Sequence, residues 1–233
     1  MSKMKVPLED YLDKIDDMLS TLSPEQRDEM LQHASLVRYR KNEVIYREGD
    51  LPTNLMCLVS GKIKIYRDGV GGRAQIMRVL GATEYFAYRA YMEGKPFITA
   101  AAAFEPCSII KIPLGIVVGF IKKNPTLGWF FIQRLAHDLG VSDERTVNLT
   151  QKHIRGRLAE SLLFLKESYG VEQDGSTLSI YLSREDLANL SNMTTSNAIR
   201  TLSAFASERI IGIDGRKIQI INEPQLRTIS DIG

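Results

Sequence analysis

Seven consecutive residues, Thr194-Thr195-Ser196-Asn197-Ala198-Ile199-Arg200, gather three short hydroxyls, a carboxamide, an isoleucine and one guanidinium, with no acidic side chain among them. Each type has a partner on a base-pair edge. A guanidinium donates bidentately to guanine, hydroxyls reach bases or phosphates, and the methyls of Ile199 or the threonines meet thymine. Presented on the outer face of a helix, the set suits the floor of a DNA major groove. Arg184 precedes it, Arg216 and Lys217 follow it, and Arg155 stands beside Lys152 and Arg157 where phosphates could pass. The stretch alone also fits an ordinary helical hairpin with a solvated polar face.

A second stretch, FAYRAYMEGKPFIT (86–99), carries an unusual load of aromatics. Phe86, Tyr88, Tyr91, Met92 and Phe97, with the small run Ala100–Ala103, read as the lining of an apolar pocket. Arg89 and Ile98 lie in the same stretch, and Leu135, Leu139 and Ser142 on a following helix complete the expected effector site. Only His33, His137 and His153 offer imidazole. The plain alternative is that the aromatics fill the domain and leave no cavity.

Other chemistries are disfavoured. Cys57 and Cys107 lie far apart without a CxxC spacing, which excludes a paired zinc or iron–sulfur ligand set within one chain and suits two buried thiols in a reducing compartment. G-x-S-x-G, H-E-x-x-H and Walker signatures are missing, and Gly71-Gly72 is too little for a phosphate cradle, so no enzyme is expected. The net charge of +2 rules out a uniformly basic surface. Residues 151–233 hold ten Lys/Arg against ten Asp/Glu, so any nucleic-acid site must be local. No run approaches the ~18 apolar residues of a membrane helix. The opening MSKMKVPLEDYLDKIDDML lacks a signal peptide's apolar core, so the expected location is cytoplasmic, with no membrane partner.

The elements that must hold these residues follow from pattern. Residues 8–36 read as helices, with Ser23-Pro24-Glu25-Gln26 as a start signal. From Val44 to Ile112, apolar runs at 55–59, 63–66, 76–80, 98–103 and 108–112 alternate with turn signals, the texture of an antiparallel barrel or jelly roll. Asn124-Pro125 opens a long helix without a Gly-Pro break before Gly156. On it Leu135, Leu139, Ser142, Thr146 and Leu149 recur at heptad spacing. A helix of roughly 27 residues is about 40 Å long, more than one small barrel covers, which favours a parallel dimer. Beyond Gly156 come a helix at 157–168, a strand at 178–182, a helix opened by Ser183-x-x-Asp186, a left-handed turn at Asn192, and a helix capped by Thr194 or Thr195. The inner face of that last helix is Ala198, Leu202 and Phe205. IIGIDGRKIQII (210–221) reads as a hairpin turning at Asp214-Gly215.

The ordered set of REGD, LVSGKIKIYR, QIMRVLG, a long helix after KNP, IRGRLAESLLFL and the helix-turn-helix with its hairpin resembles the CRP/FNR superfamily of bacterial transcription regulators, from about Leu22 to Ile221. The resemblance implies an α+β fold in three parts. These are an effector-sensing β-roll (a jelly roll like cyclic-nucleotide-binding domains) with N-terminal helices over 1–123, a dimerisation helix over 124–152, and a C-terminal winged helix-turn-helix over 153–233. It implies a sequence-specific DNA-binding homodimer on a near-palindromic operator, acting through RNA polymerase. A sensor module binding haem or an apolar ligand, with little DNA affinity, is the alternative. By position, Thr195 and Ser196 stand where the family often has arginine or glutamate, while Arg200 matches its later arginine. A different operator is therefore expected.

The family's cyclic-nucleotide site resembles a Gly-Glu pair followed by Arg-Ser or Arg-Thr. Here Ala87-Tyr88 and Phe97-Ile98 fall at those places. A buried phosphodiester without a cationic partner is costly, and Arg89 would face the other way on an extended strand, so cyclic AMP is disfavoured. The superfamily's nitric-oxide- and CO-sensing branches bind haem in an apolar pocket, which would make His137, on the long helix, the best placed imidazole ligand. No cofactor is fixed by the sequence, and haem stays open.

Overall fold

The computed structural model describes residues 8–69 and 74–232. The Gly71-Gly72 turn signal lies outside the described residues, as does the side chain of Leu149. A 3-10 helix (Leu8–Ile15), α1 (Asp16–Leu19) and α2 (Pro24–His33) precede strands β1 (Ser35–Tyr39), β2 (Val44–Tyr46), β3 (Asn54–Ser60), β4 (Ile63–Asp68), β5 (Ala74–Leu80) and β6 (Tyr85–Phe86). Then come α3 (Tyr88–Glu93), β7 (Ala100–Ala103), β8 (Cys107–Pro113), α4 (Leu114–Ile121) and the long α5 (Pro125–Gln151). The remainder is α6 (Ile154–Tyr169), α7 (Arg184–Leu190), α8 (Thr195–Ser207), β9 (Ile211–Asp214), β10 (Lys217–Ile220) and α9 (Glu223–Ile232). Two compact units result. One holds the chain through Asp68 with Met77–Leu139, the other the short piece ending at Ile76 with Gly140 onward. The division falls inside α5, which both units share.

Two four-stranded sheets, ordered β1-β8-β3-β6 and β2-β7-β4-β5, make the antiparallel roll, which lies in the first unit apart from the start of β5. Alternation in β3 explains why it is buried on both faces. Met56 and Leu58 join a cluster with Tyr46, Phe86, Phe97 and Ile109. Leu55, Cys57 and Val59 point to a second cluster with Ile15, Met18, Leu127 and Phe131. Successive side chains of a strand face opposite ways, so one seven-residue run serves two cores. Gly61 makes the β3–β4 turn at φ +80°, where a Cβ would stand 2.4 Å from the Pro106 carbonyl oxygen.

Helix starts follow their capping residues. Ser23 Oγ accepts from the Gln26 amide at 3.3 Å while Gln26 Oε1 accepts from the Ser23 amide at 3.2 Å, a reciprocal cap. Asn124 Oδ1 accepts from the amides of Thr126 and Leu127 at 3.0 and 3.1 Å, and opens α5 as expected.

Three local expectations need correction. Ser35 and Leu36 start β1 rather than ending a helix, because they pair with Lys111 and Ile110 of β8. Residues 178–182 are not a strand. Only isolated bridges form, Val171 with Leu178 and Thr177 with Gln219, although Leu178, Ile180 and Leu182 are buried on alternate positions. One-sided burial gave the alternation without a ladder beyond Leu178. The hairpin forms, but Asp214 pairs with Lys217, so its two-residue loop is Gly215-Arg216 rather than Asp214-Gly215.

Candidate nucleic-acid interface and effector domain

Helices α7 and α8 pack on each other in the second unit. Ser183 caps α7, its Oγ accepting from the Asp186 amide at 3.0 Å. The Ser183 hydroxyl also donates to the Asp186 carboxylate at 2.7 Å. Asn192 turns the chain at φ +48°, a left-handed conformation that asparagine tolerates. Thr194 caps α8 by accepting from the Asn197 amide at 3.2 Å. Ala198, Leu202 and Phe205 are all buried to 1% exposure or less, and this inward stripe fixes what faces out. Thr195, Ser196, Ile199 and Arg200 are exposed, Asn197 is half-buried, and Arg200 Nη2 donates to Asn197 Oδ1 at 2.5 Å.

The surrounding cations divide into two kinds. Arg216 and Lys217 are exposed on the hairpin, with the Lys217 ammonium 5.7 Å from the Tyr181 ring centroid. Arg184 instead donates to the Gly215 carbonyl at 2.8 Å, fastening the hairpin loop to the start of α7. Arg155 grips Glu208 through two bonds of 2.8 Å and lies 4.9 Å from the Phe205 ring. That bond holds the Glu208 carboxyl below its usual range. A carboxylate at a helix C-terminus is unfavourable, and Arg155 compensates for it at the end of α8. The structure therefore gives Arg184 and Arg155 protein partners and a bracing role, which spacing alone did not reveal.

Sequence reasoning also missed Arg145, whose guanidinium donates to the carbonyls of Ile76 and Leu190 at 2.5 and 2.9 Å, all within the second unit. Burial lowers its pKa. A mid-helix arginine carries no local signal of such a role.

In the first unit the aromatic stretch is not one wall. Residues 88–93 form the helix α3, so the extended-strand argument about Arg89 does not apply, though Arg89 is exposed. Phe86 and Phe97 lie inside the roll, Phe97 stacked on Tyr46 at a centroid distance of 3.9 Å. Tyr88 turns to the other cluster, edge-on to Phe131 at 5.2 Å, and burial raises its pKa to about 12. Tyr91, Met92 and Ile98 are exposed. On α5, Leu135 is half-buried, whereas His137, Leu139 and Ser142 are exposed. The expected pocket residues are thus distributed over two cores and the surface.

Ala87 carries φ +70° and caps α3, a backbone shape that favours glycine, at the place where the resemblance puts the glycine of a Gly-Glu pair. The Asp17 carboxylate accepts from Tyr85 and, at 2.5 Å, from Arg134, joining α1, β6 and α5.

Two family models match the chain: the cyclic nucleotide-binding domain over residues 36–124 and the Crp-like helix-turn-helix domain over 156–229. The first match lies largely in the first unit and the second match in the second unit. The chain belongs to the CRP/FNR superfamily. It is 22% identical over 191 residues to the CRP-like cAMP-activated global transcriptional regulator of Mycobacterium tuberculosis, covering 82% of this chain and 85% of that one. Against the global nitrogen regulator of Nostoc, it is 24% identical, covering 78% and 83%. Among solved structures, FixK2 from Bradyrhizobium japonicum superposes with a TM-score of 0.76 at 22% identity over 84% of this chain and 96% of that one. This CRP/FNR protein is accordingly a transcription regulator with a helix-turn-helix domain and a cyclic-nucleotide-binding-like domain. Among the described residues no helix is long and apolar enough to cross a membrane.

Proposed function

We propose that the protein is a cytoplasmic homodimer that binds a near-palindromic operator through the outer face of α8 and regulates transcription through contacts with RNA polymerase. One observation carries this reading. A buried stripe of Ala198, Leu202 and Phe205 turns Thr195, Ser196, Ile199 and Arg200 outward, beside a hairpin that exposes Arg216 and Lys217. Dimerisation is supported by α5, which leaves Trp129, Ile132 and Leu139 at 59%, 54% and 62% exposure. Arg200 reads a guanine, and Thr195 and Ser196 in place of the family's longer residues shift the operator from the common half-site.

The effector is not cyclic AMP. Ala87, Tyr88, Phe97 and Ile98 supply neither carboxylate nor guanidinium, and Phe97 fills the roll against Tyr46. Haem does not fit these residues either, because the aromatics are parted between two cores and His137 is exposed.

The test is DNA binding by the full chain against random and genomic duplexes at rising salt. Enrichment of a near-palindrome, with affinity falling roughly as the −0.9 power of salt per phosphate contact, is the expected result. Salt-insensitive or unselective association would end the reading. For the effector, adding haemin is expected to give no sharp stoichiometric Soret band, and cyclic AMP no change in DNA affinity.

A further inference from the structure

The bond between Arg200 and Asn197 gives the reading face a property that its composition does not. Arginine has only donors, so the atom of Asn197 that it meets at 2.5 Å must be the carbonyl oxygen Oδ1. The two residues stand one helical turn apart on α8, the spacing at which side chains on a helix surface touch. We infer that Asn197 is a positioning residue for Arg200 and that the couple reads guanine as a unit, rather than each side chain reading its own base. This rests on the DNA-binding reading above and names the specificity of that site.

First, an exposed arginine has several rotatable bonds, and ordering it on a base costs side-chain entropy. A fixed acceptor on the preceding turn removes part of that cost before DNA arrives and aims the guanidinium plane. Second, an asparagine that recognises adenine uses Oδ1 to accept from N6 and its amide to donate to N7. In this protein Oδ1 already serves Arg200. What the couple offers outward is mainly donors: the remaining guanidinium N–H groups and the Asn197 amide. Guanine, with acceptors at N7 and O6, is the base whose major-groove edge suits such a surface. Ile199 is exposed on the same helix and adds a methyl for thymine but no polar contact.

The substitution that tests this spares the fold. Asn197 contributes to the cap of α8 through its backbone amide, which bonds Thr194, and the side chain takes no part in that bond. Repeated selection from random duplexes is performed with the full chain alone and with cyclic AMP or haemin added, for wild type, Asn197→Ala, Asn197→Asp and Arg200→Ala. In Asn197→Ala the guanine preference at the position lost in Arg200→Ala should fall roughly five- to hundredfold, the span of one bidentate contact, while binding to the unselected pool persists. Asn197→Asp keeps an acceptor for Arg200. It should retain the guanine preference while binding all duplexes more weakly, since it adds a negative charge near phosphates. Unchanged guanine preference in Asn197→Ala would overturn the positioning role. So would loss of an adenine preference at a separate position, because Asn197 would then be reading its own base. Wild-type protein that enriches no site under any of these conditions would instead remove the DNA-binding reading, and this inference with it.

Discussion

At the residue scale, backbone conformation and charge make separate, measurable demands. Ala87 sits at φ +70°, where an L side chain costs roughly 1–2 kcal/mol, while the looser unfolded chain of a glycine variant offsets about 0.5–1 kcal/mol. Ala87→Gly should therefore raise stability by about 0.5–1 kcal/mol, measured as a higher denaturant midpoint with an unchanged slope. Asp174 accepts from the Thr177 hydroxyl at 2.5 Å and from the amides of Thr177 and Ser176 at 2.8 and 2.9 Å. These bonds lower its pKa to about 2, below its ordinary 3.8. The folded carboxyl thus holds fewer protons than the unfolded one around pH 3, and its contribution is present above about pH 4 and lost as pH falls towards 2. Asp174→Asn should flatten that part of the acid-unfolding curve while leaving the neutral part of its shape unchanged.

Capping and turns decide events at the element scale. Asn124 does more than start α5. Its Nδ2 also donates to the Thr21 carbonyl at 2.8 Å and to Gln26 Oε1 at 3.0 Å, fixing the N-terminal helices to the head of the long one. Asn124→Ala should cost more than the ~1 kcal/mol of a simple cap, about 2 kcal/mol with the two further bonds lost. Asn124→Asp keeps the cap and loses the donors, so its melting temperature should fall between those of wild type and Asn124→Ala. Gly61→Ala combines a left-handed φ with a Cβ pressed onto backbone, and should cost at least about 2 kcal/mol in thermal or denaturant unfolding. The caps at Ser23, Asn124, Ser183 and Thr194 were legible because a cap is a local bargain between a side chain and amides two or three residues away. Strand β1 was not legible, since Ser35–Tyr39 becomes a strand only by pairing with β8, some seventy residues on.

For the whole molecule the long helix is the decisive element. Leu139 is 62% exposed in the isolated chain, on a heptad stripe that a second copy would cover. Leu139→Glu should shift the protein from dimer to monomer in analytical ultracentrifugation and weaken operator binding with it. Ser142 and Thr146 interrupt the same stripe, both exposed, the Thr146 hydroxyl turned back to the Ser142 carbonyl at 2.9 Å. Replacing both by leucine removes the polar groups through which an effector would bias the register of a paired seam. DNA binding should then depend less on effector, as titration of operator affinity with a cell-extract small-molecule fraction would read. Undiminished dependence would place the switch elsewhere.

The sequence by itself determined the order of parts, the helix starts, the inward stripe of α8 and hence its outward residues, because these follow from periodicity and capping chemistry within a few positions. It also determined that no carboxylate or guanidinium stands at Ala87, Tyr88, Phe97 or Ile98. Tertiary structure decided which core each aromatic enters. Phe97 lies on Tyr46 and Tyr88 on Phe131, since Tyr88 opens the helix α3 while Phe97 lies beyond its end, a break that a strand-like reading of the stretch could not anticipate. It decided, too, that Arg155 and Arg184 brace the α8 terminus and the hairpin loop, through partners 53 and 31 residues away. A charge declares itself in sequence, but its partner is chosen by the packing that brings distant segments together.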